Sequence, residues 1–346
     1  MINRIIERLR MTMRVLVSGQ KYWSERGEIP PITSEEVAEF KKIFPLDKFF
    51  IFGHARSGTT LLTRLIRQHP DVHCNYQGHF FTRPPTIESL VDRSDIEAWL
   101  TRHSNRWNRG RDLSPVVLRA AVEFIMEREA RELGVSVIGD KSPNNLLNDK
   151  AVRLMHKLYP DGKLIFIVRD GRDAAISHRF QAFIDATQHL SRKDWDIREA
   201  FSQTPEPFIH GERSIFTAKR IHEAAESWAR NVINTDQLGQ ELYGDQYISL
   251  KYEDLLAAPW EQMSRLWAFL RVKTEAHDLQ DALGKELNRN PDAKWQHHKA
   301  GDIIGFLKKG KSGSWRELFT KRDKAVFKKI AGDALISWDY EKDKDW

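Results

Sequence analysis

Phe49-Phe50-Ile51-Phe52-Gly53-His54-Ala55-Arg56-Ser57-Gly58-Thr59-Thr60-Leu61-Leu62-Thr63-Arg64-Leu65-Ile66-Arg67-Gln68 is the stretch on which the reading of this chain turns. The opening apolar run, Phe49–Phe52, is short, aromatic and β-branched, which suits a buried parallel strand, and a glycine follows it directly. From Leu61 the apolar positions fall at Leu61, Leu62, Leu65 and Ile66, the spacing of one helix face. Between the two lies a small, hydroxyl-rich turn. Strand, tight turn and helix together aim free backbone N–H groups and a positive helix end at an anion, most often phosphate.

Gly53, four intervening residues, Gly58 and Thr59-Thr60 follow the frame G-x-x-x-x-G-K-[ST] of nucleoside-triphosphate loops, with Thr59 in the lysine position. In such loops the lysine reaches the β- and γ-phosphates and the next hydroxyl ligates Mg²⁺. The nearest cation here is Arg56, ahead of the second glycine. This loop is therefore unsuited to a Mg²⁺-bound triphosphate and suited to a shorter anionic group. Taken alone, it is also the frame of an ordinary βα turn.

A chain of 346 residues can bury a large core. Its 40% hydrophobic and 30% charged content is that of a soluble globular protein. The excess of 55 Lys+Arg over 49 Asp+Glu, with a pI near 9.2, favours anionic ligands. No zinc-finger spacing or dense basic helix points to nucleic acid. The single cysteine, Cys74, rules out an intrachain disulfide and a multi-cysteine zinc site, and fits a reducing cytoplasm. No metal is expected. Nothing approaches the roughly 18 uninterrupted apolar residues of a membrane span. Residues 1–21 alternate Arg4, Arg8, Arg10 and Arg14 with apolar residues; they read as a helix docked on the domain or a mobile tail, or as a basic amphipathic helix in peripheral contact with a membrane.

The pattern divides the chain into an N-terminal helical extension, 1–45, and a single α/β domain, 46–346. Thr33-Ser34-Glu35-Glu36 caps a helix over Val37–Phe44. Pro70–Pro85 reads as loop, and a helix is expected near Ile87–Arg102. Ser114-Pro115 opens a helix that Gly134 stops after Leu133. Strands are expected at Val135–Gly139, Lys163–Val168 and Gln246–Lys251, with helices between them. This rhythm predicts a P-loop-like parallel sheet flanked by helices on both faces. Residues 185–213, polar and carrying Pro205 and Pro207, interrupt it as a helical or loop insertion, a candidate lid. A long helix over Ser214–Gly239, a helix over Trp260–Leu270 and a loop over Asn288–Ser314 follow.

Two further elements carry chemistry. Arg169-Asp170-Gly171-Arg172-Asp173-Ala174-Ala175-Ile176-Ser177 follows a strand, and ligands of open parallel sheets sit beyond the carboxyl ends of strands. Ser177 falls about two helical turns on, within reach of the same anion as Arg169. Leu307-Lys308-Lys309-Gly310-Lys311-Ser312-Gly313-Ser314-Trp315-Arg316 suits a flexible loop closing over a phosphate. Taken separately, the first segment reads at least as well as a salt-bridged turn, and the second reads first as a solvated charge run.

In chain order the three elements resemble the signature blocks of sulfotransferases that use 3′-phosphoadenosine 5′-phosphosulfate (PAPS), over about Phe49 to Phe319. The resemblance implies that Arg56, Ser57, Gly58, Thr59 and Thr60 hold the 5′-phosphosulfate. It implies that Arg169 and Ser177 bind the 3′-phosphate with Lys308, Lys309 and Gly310, and that Tyr252 packs on the adenine. Arginine in the first loop is more like the tyrosylprotein and bacterial carbohydrate or metabolite branches. Lys141 resembles the family lysine just past the second strand that reaches the acceptor and sulfuryl group. Gln77-Gly78-His79-Phe80-Phe81 resembles an E-x-H-F-F segment whose glutamate is the base. Glutamine cannot play that part, so His79 becomes the candidate base; His297-His298 is a second pair of interest.

The reading is sulfuryl transfer to a hydroxyl or amine of a carbohydrate, glycolipid or small metabolite, by in-line displacement at sulfur with a base and positive charge at the leaving phosphate. A P-loop kinase using ATP and a non-catalytic nucleotide-binding module are the alternatives. Trp228, Phe80, Phe81 and Trp195 are expected in the core first, and as an acceptor lining second.

Overall fold

A computed structural model of the chain describes Met13 and residues 27–104, 106–108, 110–144, 149–274, 277–289 and 312–346. In chain order its elements are α1 (Ser34–Ile43), β1 (Asp47–Gly53), α2 (Thr59–Ile66), β2 (Val72–Tyr76), α3 (Ser94–Leu100), α4 (Ser114–Leu133), β3 (Val137–Lys141), α5 (Lys150–Leu158), β4 (Lys163–Val168) and α6 (Gly171–Asp185). There follow α7 (Arg192–Gln203), α8 (Glu206–Ile209), α9 (Ala218–Tyr243), β5 (Tyr247–Lys251), α10 (Tyr252–Ala257), α11 (Pro259–Phe269), α12 (His277–Asn288), α13 (Trp315–Leu318) and α14 (Lys321–Ser337).

Among the described residues the strands form one parallel sheet in the order β2-β3-β1-β4-β5. Side chains of a strand alternate between faces, and β1 and β4 are apolar on both. Phe50, Phe52, Leu164, Phe166 and Val168 join the core beneath α4, α5 and α9. Phe49, Ile51, Ile165 and Ile167 join the opposite core beneath α2 and α11. Helices therefore cover both faces, as the continuous apolar runs require.

The chain crosses from β3 past β1 to β4, which puts the carboxyl ends of three strands side by side. Ile51 pairs with Lys141, and Gly53 with Ile167. This is the crevice in which open α/β sheets bind ligands.

Three local expectations change. The strand expected at Val135–Gly139 runs Val137–Lys141, because Gly139 is an interior strand residue: a Cβ there would lie 2.4 Å from the Phe49 ring. Lys141 is thus the last residue of a strand rather than just past one. Pro70–Pro85 contains β2, an edge strand buried only at alternate positions. The helix expected near Ile87–Arg102 is a 3₁₀ turn, Ile87–Leu90, followed by α3. Residues 185–213 do carry helices, α7 and α8, and α9 begins at Ala218, where the Thr217 side chain accepts from Arg220 N. At the N-terminal side, Ile29, Ile32 and Phe40 are buried and Thr33 and Glu36 form a capping box. No described helix is long and apolar enough to cross a membrane.

Candidate active site

The loop after β1 is shaped by close contact. A Cβ at Gly53 would lie 2.7 Å from the Ile167 carbonyl oxygen and 2.8 Å from Thr59 Cγ2, so only glycine lets β1, β4 and the loop meet. Ser57 N donates to the His54 carbonyl at 3.1 Å, closing the turn. His54 Nδ1 lies 3.0 Å from the Ala55 carbonyl and Nε2 lies 3.1 Å from Ser227 Oγ on α9. Burial, with His178 nearby, pushes the ring down to about 4, so it is neutral. A carbonyl can only accept, so Nδ1 carries the hydrogen and Nε2 accepts from Ser227.

Arg56 (φ 70°) and Gly58 (φ 89°) are both left-handed, and Gly58 precedes the first turn of α2 with no side chain to cap it. The first N–H groups of α2 have no intrahelical acceptor. The Ser57 hydroxyl is buried and finds no hydrogen-bond partner among the described residues. A buried polar atom of that kind is expected to meet a ligand or water. The Tyr252 ring closes the other side of the loop: a Cβ at Gly58 would lie 2.2 Å from Tyr252 Cδ2. The Arg169 guanidinium is 4.9 Å from the centroid of the same ring.

Arg169 leaves the end of β4 and reaches this loop. Its Nη1 donates to the Arg56 carbonyl at 3.2 Å, while Arg56 Nε donates to Ser177 Oγ at 3.1 Å. Arg56, Arg169 and Ser177, some 120 residues apart at the extreme (|i−j| of 121), therefore share one crevice. The backbone beneath them is fixed by buried partners. Trp228 Nε1 donates to the Arg169 carbonyl at 3.0 Å, and the indole lies where a Cβ of Gly171 would be. Asp170 accepts from Arg172 N at 2.9 Å, is neutralised by the Arg172 side chain, and donates its own N–H to Glu253. Asp173 accepts from Gly313 N at 2.6 Å and Trp315 N at 3.1 Å, which fastens the described end of the Lys/Gly segment to the first turn of α6. Lys308, Lys309, Gly310, His297-His298 and residues 1–21 other than Met13 lie outside the described residues.

On the other side of β1, Lys141 points its Nζ to Thr60 Oγ1 at 3.2 Å and lies 5.4 Å from the centroid of Tyr76. The side chain is 1% exposed. Burial lowers its pKa against the pull of Cys74 and Asp140, and Arg56 adds to the lowering.

Beside it, Asp140 accepts from Gly78 N at 2.9 Å and from the Ser142 hydroxyl at 2.5 Å. Ser142 Oγ in turn accepts from His79 N at 2.8 Å. Burial pushes Asp140 up to about 6, with the bonds from Ser142 and Gly78 and the Lys141 charge pulling the other way. This carboxylate holds a turn in which Gln77 (φ 55°) and His79 (φ 49°) are both left-handed, a conformation that side-chain-bearing residues keep only where the surroundings enforce it. His79 Nδ1 lies 2.9 Å from Thr82 Oγ1. Burial, then Arg83 and Lys141, lower its pKa and favour the neutral ring.

Trp228, Phe80 and Phe81 are buried, as core residues, and Phe81 stacks edge-on against Phe50 at 5.4 Å; Trp195, expected in the core with them, is instead exposed on α7. Sequence reasoning assigned no part to Asp140, Ser142, Asp173, Glu253 or His54. Asp140 and Asp173 each sit next to a basic residue or in a turn, where a carboxylate reads as an ion pair.

The Sulfotransferase family model matches residues 48–276. A protein-tyrosine sulfotransferase of Drosophila melanogaster is 25% identical over 297 residues, covering 78% of this chain and 51% of that protein. Protein-tyrosine sulfotransferase A of Caenorhabditis elegans is 30% identical over 127 residues, 36% of this chain and 30% of that protein. The chain thus spans about half the length of the first of these relatives and less of the second. The crystal structure of mouse sulfotransferase SULT7A1 complexed with PAP is similar with a TM-score of 0.47 at 17% identity, covering 89% of this chain and 91% of that one.

Proposed function

Because the chain belongs to the sulfotransferase family, we propose that it binds PAPS in the crevice beyond β1, β3 and β4 and transfers the sulfuryl group to an acceptor hydroxyl or amine. The observation that carries this reading is the meeting of Arg56, Arg169 and Ser177 through two hydrogen bonds, with Lys141 at Thr60 on the opposite flank. PAPS carries two phosphates, and the crevice offers two guanidiniums, Arg56 and Arg169, with Lys141 on the opposite flank. The Ser57 hydroxyl, buried without a partner among the described residues, suits an anion's oxygen.

When bound, PAPS supplies an activated sulfuryl group whose leaving group is a phosphate. Arg56, Ser57 and the N–H groups of Gly58, Thr59 and Thr60 hold the 5′ end. Arg169 and Ser177 hold the 3′-phosphate, with Lys308, Lys309 and Gly310 assigned there by family resemblance. Lys141 stabilises negative charge that develops near Thr60, in a site dry enough to strengthen the interaction. His79, neutral and engaged by Thr82 at Nδ1, takes the acceptor proton at Nε2. Asp140 and Ser142 hold the turn that carries His79.

The acceptor proposed is a carbohydrate, glycolipid or small metabolite. The names of the animal relatives add tyrosine on a protein as a second acceptor class. An ATP kinase is disfavoured by Lys141: its ammonium occupies the Thr60 hydroxyl that would ligate Mg²⁺. The test is transfer from sulfur-labelled PAPS to a panel of sugars, glycolipids, phenols and tyrosine peptides. Labelled product that disappears in Lys141→Met supports the reading. Absence of transfer to every class, with phosphate transfer from ATP instead, overturns it.

A further inference from the structure

Next to the crevice, between α6 and α9, lies a cavity of about 220 Å³. Ala175 and Ala182 on α6 and Ala224 on α9 make the hollow, because none has a side chain long enough to fill it. Phe216 supplies an apolar wall. The polar lining is cationic or basic: His178, Arg179, His189 and Arg220. His178, which lines the cavity, feels the charge of Arg56, so the cavity neighbours the crevice.

We propose that this cavity binds the carboxylate, sulfate or phosphate end of a ligand and, on the sulfuryl-transfer reading on which this part rests, the far end of the acceptor. Arg179 and Arg220 share one buried carboxylate, Asp194, at 2.8 and 3.4 Å. The remaining partner of Arg220 is Glu223 at 3.0 Å, a half-exposed pair on one helix and hence a weak one. The charges that act on His178 are those of Arg56, Arg220 and Arg179, all positive. Against the two guanidiniums stand one buried carboxylate and one half-exposed, solvent-screened one, so the field inside the hollow favours an incoming anion. At about 220 Å³ the hollow falls below the roughly 300–1,000 Å³ of sites that enclose a whole drug-sized ligand, so it takes one end of a molecule.

The test compares 4-hydroxyphenylacetate with 4-hydroxyphenylacetamide, which differ in charge and little in shape. Both the dissociation constant, by calorimetry on the full chain with adenosine 3′,5′-bisphosphate present, and kcat/KM with PAPS are measured. The acid is expected to be preferred. Arg220→Gln should reduce the acid-to-amide ratio about tenfold, the low end for a charge-assisted hydrogen bond because Arg220 is half-exposed. Arg220→Lys should keep most of the preference. Ala224→Leu, which fills the hollow and leaves the charges, should weaken both compounds. Equal binding of acid and amide, or an equal effect of Arg220→Gln on both, overturns the proposal while leaving the transfer reading intact if the amide is sulfated. Arg220-dependent preference for the acid without transfer to any acceptor upholds the anion site and overturns the transfer reading. Inorganic sulfate binding as tightly as the acid assigns the site to a free ion and overturns the acceptor assignment.

Discussion

Replacing Gly58 by alanine strikes the loop at two separable points. The left-handed backbone (φ 89°) disfavours any residue with a Cβ, by about 1–2 kcal/mol. The new Cβ would also lie 2.2 Å from Tyr252 Cδ2, roughly 1.3 Å inside the ~3.5 Å at which carbons normally meet. Tyr252 is buried with Arg169 over its ring, so it cannot yield without disturbing Arg169, the proposed second anion-binding group. Overpacking of that kind costs about 1–3 kcal/mol, giving a total of about 2–5 kcal/mol for Gly58→Ala. Tyr252→Ala alone should cost a similar amount, as expected of a large buried ring. In the double variant the overlap vanishes and only the backbone penalty is added, so the two changes should couple favourably by about 1–3 kcal/mol. Denaturant unfolding of the four proteins measures this directly. Additivity within about 0.5 kcal/mol would refute the contact on which the loop's shape is argued.

Lys141→Met preserves the length of the buried side chain and removes its charge; turnover should fall about 10²–10³-fold, with adenosine 3′,5′-bisphosphate affinity changed far less, as stopped-assay kinetics and calorimetry would show. Burial pushes Asp140 up to about 6, so above that pH the carboxylate is ionised and accepts from both Gly78 and Ser142, and below it one acceptor is lost. The acid limb of kcat/KM in wild type should therefore fall near pH 6. In Asp140→Asn that limb should give way to one set by His79 alone, below its ordinary imidazole value; an unchanged profile would show that Asp140 does not govern the turn.

The parts of the site that could be read from sequence are those written in local pattern. Phe49–Phe52 with Gly53 announces a buried strand and its turn, and Lys163–Val168 announces the strand that delivers Arg169. Both strands are apolar on two faces, so no register had to be guessed for them. β2 was hidden because Val72-His73-Cys74-Asn75-Tyr76 alternates in polarity on a half-exposed edge among prolines, which reads equally as loop. Gly139 looked like a strand end because glycine usually punctuates; here it makes room for the Phe49 ring, a contact between residues distant in sequence. The same reason conceals Asp140: Ser142 lies two residues on, but Gly78 lies on a different segment, and only the folded pairing of β2 with β3 brings it to the carboxylate. Trp228 illustrates a third case. Its core placement follows from helical spacing, but its bond to the Arg169 carbonyl does not.

The central claim is that Arg56 and Arg169 line one crevice for a doubly phosphorylated adenosine. Calorimetric titration of the protein with adenosine 3′,5′-bisphosphate in the absence of Mg²⁺ tests it most directly. The account predicts saturable binding that weakens about tenfold or more in Arg169→Met and in Arg56→Met, the loss expected for a charge-assisted hydrogen bond. Binding that requires Mg²⁺ and prefers ATP, or that ignores both substitutions, would contradict it.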